Sequence, residues 1–407
     1  LRILYVTPNK SHLMDITGIR SKHKLLKKWD YKWTPLDKGY TDKTLYVNVG
    51  THEIKEKDVP LEMKEKFIGG KGYGLRYLWD ATRPDTKWND PENEIVISSG
   101  PIGGITQYSG TGKSLVVSIS PQTDSVMDSN VGGFFGPFLK FSGFDAIELQ
   151  GKAVNDVIIF INGVDHYIEI FEAPAEAVDS HVLAEQLTDM FANDDSDRKN
   201  IGIVSAGSAA DHSLIGMLNF TFYDSKRKKI RMKQAGRGGI GTVFRNKKIK
   251  AIVCKIPGVK GNLNNVVDLE AIMERGRRFN REMRELDDKQ CRMRRVGTAH
   301  LVEIMDDHDL LPVHNYKFGS HKDVPRIDSA VWTSFFTQNI PDGCWIGCNM
   351  SCSKGTDDYE LATGPYKGHK VIVDGPEYET AAGLGSNGGF FDPRYIIETN
   401  FYCDTYG

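Results

Sequence analysis

With 407 residues the chain is long enough for two or three domains, and its 40% apolar and 26% charged content is that of an ordinary globular protein. A formal net charge of −2 leaves no global attraction for nucleic acid or an anionic membrane. Six cysteines are too few for a disulfide scaffold, three of them fall within nine residues, and no run of about eighteen apolar residues offers a membrane span. These features make a reducing cytoplasm the expected location.

Residues 1–43 are lysine-rich, punctuated by Pro8, Pro35 and Gly39, and read as an irregular N-terminal arm against another domain or a partner. From Thr44 the pattern changes. Leu45, Val47 and Val49 alternate with Tyr46, Asn48 and Gly50, which predicts a strand. Short apolar runs follow at 95–97, 115–119, 146–149, 157–161, 167–170, 201–204 and 249–253, each bounded by glycine, proline or polar turns. Helices are expected chiefly over 60–80 and 181–194, so residues 44–256 read as a β-rich domain. Pro257 and Gly258 close that regime. Val267, Leu269, Ile272, Met273 and Phe279 then recur at helical spacing, a second helix is expected over 297–306, and apolar residues near 380–403 predict more. Residues 257–407 therefore read as mainly α-helical. The expected fold class is α+β, a β-sheet-rich domain followed by a mainly helical one.

The densest chemical signal is Gly343-Cys344-Trp345-Ile346-Gly347-Cys348-Asn349-Met350-Ser351-Cys352. Thiolates at even spacing in a glycine-containing loop point to ligands of a soft metal centre. Buried or disulfide-paired cysteines are the competing reading, which compartment and spacing disfavour. Cys254 and Cys291 read as ordinary residues, and the histidines show no zinc-ligand spacing.

Four glycine-rich stretches bear on anion binding. Gly110-Thr111-Gly112-Lys113-Ser114 is no P-loop: Gln107 stands where the first glycine is needed, and a strand rather than a helix follows. Gly236, Gly238 and Gly241 satisfy G-x-G-x-x-G, yet the preceding 226–233 read as a basic run instead of a buried strand. Residues 226–250 hold eleven Lys or Arg and no acid; a solvated face explains many, while Arg237, enclosed by glycines, is set to bind phosphate. Ser125–Gly136, with Asn130, and Gly69–Gly74 complete the set. Together they point to a large ligand carrying phosphates. Glu377 and Glu379 are candidate proton-transfer acids, and both face one site only if their segment is extended.

Taken together, these stretches resemble the tungsten-containing aldehyde:ferredoxin oxidoreductase family. The matching segments include Phe67-Ile68-Gly69-Gly70-Lys71-Gly72, Ser98-Ser99-Gly100-Pro101, Ser118-Ile119-Ser120-Pro121, Ser129-Asn130-Val131-Gly132-Gly133-Phe134-Phe135-Gly136, Leu139-Lys140-Phe141-Ser142-Gly143-Phe144-Asp145, Ala235-Gly236-Arg237-Gly238-Gly239-Ile240-Gly241 and Gly375-Pro376-Glu377-Tyr378-Glu379. They run in family order from about residue 44 onward, with the first forty residues outside. The resemblance implies a β-sheet base for a tungsten bis-molybdopterin cofactor under helical domains. It implies Mg2+ held by the carbonyls of Asn130 and Gly238, phosphate contacts from Arg237 and from Lys113 (where the family has arginine), and a pterin motif starting at Asp404. Glu379, and after it Glu377, matches the acid near tungsten. Cys344, Cys348 and Cys352 match three ligands of a [4Fe–4S] cluster, with C-x3-C-x3-C in place of C-x2-C-x3-C. Family members are longer, so the chain is expected to be partial, with the fourth ligand beyond Gly407.

The altered spacing and the N-terminal segment make the chain look most like the active-site subunit of class II benzoyl-CoA reductase. That subunit reduces the aromatic ring of a CoA thioester to a cyclic dienoyl-CoA with electrons from an iron–sulfur partner. The alternative is aldehyde oxidation to carboxylic acids with ferredoxin as acceptor; a non-catalytic iron–sulfur scaffold is the reading of another class. An oligomer is expected, and nucleic-acid binding is not.

Overall fold

A computed structural model describes residues 15–290, 292–338, 340 and 342–407. Cys291 and the first fourteen residues of the N-terminal arm lie outside the described residues. The chain forms two compact units: one from residues up to 106, 110–272 and 404–407, the other from 107–109 and 273–403.

The first unit begins with α1 (Ile16–Ser21), β1 (Lys24–Asp30), β2 (Lys43–Asn48), β3 (Glu53–Asp58), α2 (Leu61–Phe67), α3 (Lys71–Ala81) and β4 (Ile95–Ser98). It continues with β5 (Ser114–Ile119), β6 (Val126–Val131), α4 (Phe135–Phe141), β7 (Ala146–Gln150), β8 (Val157–Asn162), β9 (Tyr167–Glu172) and α5 (Ser180–Phe191). β10 (Ile201–Ser205), β11 (Leu218–Asp224), β12 (Lys229–Ala235), α6 (Ile240–Asn246) and β13 (Ile249–Lys255) complete it. These strands build two sheets, ordered β3-β2-β7-β4-β5-β6 and β1-β9-β8-β13-β10-β11-β12. Every residue of β8 and β13 is buried, which their near-continuous apolar runs require, and the two pair in parallel. The terminal strands β6 and β12 adjoin, so one edge of each sheet meets the other.

The structure differs from the sequence reading in four places. Lys24–Asp30 is an edge strand antiparallel to β9, with Trp29 opposite Ile168, not an irregular arm. Tyr31 and Trp33 extend the attachment, donating to Ser142 O at 2.7 Å and Phe141 O at 3.0 Å. Lysines on an edge strand deter pairing with other chains, so this strand carries little apolar signal. Residues 229–235 form β12, where Arg231 and Lys233 are buried rather than solvated. The stretch containing Asp128, Ser129 and Asn130 is strand β6 and not a glycine-rich turn. The helix expected over 60–80 is two helices, broken at Ile68, whose φ of +63° cannot continue a helix.

The second unit holds α7 (Leu269–Gln290, from Met273 onward), α8 (Met293–Val296), α9 (Leu301–Asp307) and α10 (Ser329–Phe335). The hairpin β14 (Gly355–Glu360) and β15 (Lys370–Asp374) follows, then α11 (Tyr378–Thr380) and most of α12 (Pro393–Tyr406). Trp332, Phe336, Leu311, Val313, Ile396 and Phe401 form part of its core. Asp328 caps α10 by accepting from Val331 N at 3.0 Å, which satisfies a donor the helix cannot. Among the described residues no helix is long and apolar enough to cross a membrane. The β-sheet-rich region followed by a helical one is the α+β arrangement expected.

Glu94 and Glu148 are buried carboxyls in the first unit, and Lys57 donates to Glu148 Oε2 at 2.6 Å. Burial first, then repulsion from Glu148, raises the Glu94 pKa from an ordinary 4.5 to about 8. Between those values the folded state binds the extra proton, so stability falls as pH rises from about 4.5 towards 8. Glu94→Gln carries no titrating group. Its denaturation midpoint is expected to vary less than that of the wild type between about pH 5 and 8, and equal pH slopes would refute this assignment.

Candidate functional site

The glycine turn after β12 lies against the edge of β6. Arg237 N donates to Ser129 Oγ at 3.2 Å, and a Cβ on Gly238, whose φ is +77°, would meet Met127 Cγ at 2.3 Å. Only glycine permits this approach. Asn130 is opposite Leu115 on β5, and Ser114 is opposite Val131, so Lys113 enters β5 beside the same end of β6. Lys113, Asn130 and Arg237 are all exposed there. Lys71, from the Gly69–Gly74 stretch, also reaches β6, pairing with Asp128 at 2.7 Å. The backbone stays accessible: a Cβ at Gly110 would meet nothing within 4 Å, and at Gly236 only Gln234 Cβ at 4.0 Å.

Behind this edge a polar row crosses the second sheet. Ser205, Asn219 and Gln234 occupy paired positions on β10, β11 and β12. Ser205 Oγ, Asn219 Oδ1 and Gln234 Nε2 are buried without a hydrogen-bond partner. Asn219 Nδ2 donates to Ser180 Oγ and to Asp404 O, both at 3.1 Å, which fixes the end of α12 on this unit. Asp404 itself is buried. Sequence reading had no signal for the row, since its members lie on three strands.

In the second unit Cys344, Cys348 and Cys352 are each partly buried on one loop. Ser109 Oγ pins that loop: it accepts from Asn349 N at 3.0 Å and lies 3.0 Å from Gly347 O and 3.1 Å from Asn280 Oδ1 on α7. Lys354 Nζ closes the far end by donating to Ser351 O at 2.6 Å and Arg294 O at 2.8 Å. Burial lowers the Lys354 pKa, opposed by Asp342 and Cys352. Glu377 is extended, with φ −92° and ψ 173°, whereas Glu379 lies in the first turn of α11. The two acids therefore diverge, because the segment is not extended through both. Glu379 is exposed and Glu377 half-buried, and the extended segment that would aim both at one site is absent.

Exposed cations beside open glycine backbone fit a phosphate-bearing cofactor in charge and access. For an iron–sulfur cluster the thiols are right in kind but not gathered: among the described residues no three His, Cys, Asp or Glu side chains stand where they could hold a metal. Three thiolates also leave a four-cysteine site one ligand short. No acidic side-chain cluster marks a magnesium site among those residues.

A model of the aldehyde ferredoxin oxidoreductase N-terminal domain matches residues 44–256, and one for domains 2 and 3 matches 274–407. The tungsten-containing aldehyde ferredoxin oxidoreductase of Pyrococcus horikoshii is 32% identical over 372 residues, covering 91% of this chain and 56% of that protein. The aliphatic sulfonate oxidoreductase WOR-like subunit of Pyrococcus furiosus is 28% identical over 378 residues, covering 91% and 57%. The chain spans little more than half the length of these curated relatives. Among solved structures, the active-site complex of benzoyl-coenzyme A reductase with 1,5-dienoyl-CoA aligns with a TM-score of 0.67 at 20% identity, over 91% of this chain and 53% of that one, which shows a shared fold.

Ser109 holds the cysteine loop through hydrogen bonds worth on the order of 1 kcal/mol each. Ser109→Ala is expected to speed labelling of the loop cysteines by a thiol reagent several-fold, with Cys254 staying unreactive because it is buried. Unchanged loop kinetics would show that the serine does not restrain the loop.

Proposed function

The chain belongs to the aldehyde ferredoxin oxidoreductase family, and on that footing we propose that it supplies the cofactor base and part of the helical region of a tungsten–pterin enzyme that oxidises aldehydes to carboxylic acids. The observation that carries this reading is the agreement of four relatives, 30–32% identical over 91% of the chain, all tungsten-containing aldehyde ferredoxin oxidoreductases. Ring reduction of benzoyl-CoA, which the cysteine spacing favoured, is the weaker reading: its support is a fold likeness at 20% identity. A non-catalytic scaffold accounts for the loop but leaves the phosphate-binding edge without a use.

In this reading Arg237 and Lys113 hold the pterin phosphates at the β6–β12 edge, and Asp404 begins a pterin-binding motif. In the same reading the Asn130 and Gly238 carbonyls would hold a magnesium ion, which would offset phosphate charge. When bound, the tungsten–pterin centre supplies the two-electron acceptor that turns an aldehyde and water into a carboxylic acid with release of two protons. Glu379, exposed at the start of α11, can exchange one of those protons with solvent, and Glu377 is second to it. Cys344, Cys348 and Cys352 are the candidate iron ligands by chemistry, with ferredoxin or an iron–sulfur subunit as the electron acceptor. No step is assigned through the cluster.

The test is anaerobic purification of the full-length protein from tungstate-supplemented cells. About one tungsten and four iron per chain are expected, together with viologen-linked aldehyde oxidation. Dearomatisation of benzoyl-CoA without aldehyde turnover would replace this reading with the other, and absence of tungsten would sink both. Arg237→Ala is expected to lower tungsten content several-fold while leaving the fold intact. Arg237→Lys should fall between, since lysine keeps the charge and loses the bidentate fork.

A further inference from the structure

Helix α7 carries an arginine stripe whose members are not paired by the acids of the same helix. Arg277, Arg281 and Arg284 recur at i, i+4 and i+7 and are all exposed, so the helical period places them on one side. Between residues 275 and 284 the helix holds five arginines against the single Glu282, a local charge of +4. That glutamate is taken by Arg278 at 2.7 Å, and Asp288 is taken by Arg295 at 2.8 Å. Among the described residues Arg277, Arg281 and Arg284 make no ion pair, although Glu274 and Glu285 stand on the same helix. Exposed guanidinium groups that no acid pairs remain open to carboxylates from outside.

An adjacent side of the same helix bears on the cysteine loop. Gly276 and Met283 are buried, and a Cβ on Gly276 would meet Gln107 O at 1.9 Å, so the helix packs closely on the 107–109 segment. Asn280, between Arg277 and Arg281 in sequence, lies 3.1 Å from the Ser109 oxygen that also contacts Gly347 and Asn349. One helix thus exposes the stripe and, through Asn280 at its border, braces the loop.

We propose that the Arg277–Arg281–Arg284 stripe is the docking surface for an acidic electron-carrier protein. The proposal rests on the reading of this chain as part of an electron-transferring enzyme. Long-range attraction between an acidic partner and the stripe sets the association, so affinity declines with salt.

The test measures binding of the full-length protein to an acidic ferredoxin by calorimetry. Wild-type affinity should fall at least about tenfold as salt rises from about 0.05 to 0.5 M. The triple reversal to Glu of Arg277, Arg281 and Arg284 should weaken binding by about tenfold or more at low salt, and the triple change to Gln by less. Arg275→Glu, on the other flank beside Tyr108, should change it little. Circular dichroism verifies that each variant folds. Affinity unchanged by either triple variant, absent for the wild type, or insensitive to salt would overturn the proposal. So would stripe-dependent binding to duplex DNA in place of the ferredoxin. Because binding is read directly, this outcome is separate from whether dye-linked aldehyde oxidation is found.

Discussion

The close approach of the β12–α6 turn to strand β6 is the constraint on which the candidate site depends. Two sheets that end in open edges would each expose unpaired backbone to water or to other chains. Here the last strand of each covers the other, and the contact is set by two features of the turn. Gly238 can sit over Met127 only without a side chain, and the Arg237 amide is spent on Ser129 Oγ. With its backbone tied down and its side chain exposed, Arg237 is held where a ligand can reach it. The same edge collects Lys113 through the β5–β6 register and Lys71 through Asp128. Cationic groups from three glycine stretches far apart in sequence therefore belong to one strand's surroundings.

Much of this was legible in the residues and some was not, for identifiable reasons. Strands buried on both faces, such as β8 and β13, announce themselves as apolar runs. Strands at sheet edges do not. β1 carries lysines, β6 reads Val-Met-Asp-Ser-Asn-Val, and β12 alternates basic with apolar residues. Each looks like a loop or a solvated face until its neighbour is known. The G-x-G-x-x-G shows the same limit, because the basic run before it hides a strand. A strand does precede it; what is missing is the parallel neighbour, since β12 pairs only with antiparallel β11 at the end of its sheet.

The site residues divide along the same line. Arg237 and Gly238 could be singled out because glycines around an arginine report a local backbone requirement. Glu377 and Glu379 could not be placed, because two residues' spacing means convergence on a strand and divergence at a helix start. Ser109 and Asn280 carried no signal at all: their role arises from a contact between segments 171 residues apart.

The basic run at 226–250 shows how burial assigns roles that composition leaves mixed. Arg245 is buried and paired with Asp156 at 3.1 Å, and Arg227 with Asp224 at 3.0 Å. Lys247 and Lys250 point their ammonium groups at backbone carbonyls: Gly151 O at 3.2 Å for one, Pro174 O and Glu176 O at 2.9 and 2.8 Å for the other. Lys140, outside the run, does the same with the carbonyls of Gly100, Pro101 and Gly103. A buried ammonium needs about three acceptors, and loop carbonyls that lack a ladder partner need donors, so each solves the other's problem. These buried lysines brace loops and are not available to a ligand. The exposed Lys226, Lys228 and Lys229 cluster at the β11–β12 hairpin, at the opposite end of β12 from the glycine turn. Within a stretch that composition marks as uniformly cationic, Arg237 is the one residue that combines exposure, a fixed backbone and open glycine flanks at the β6 edge.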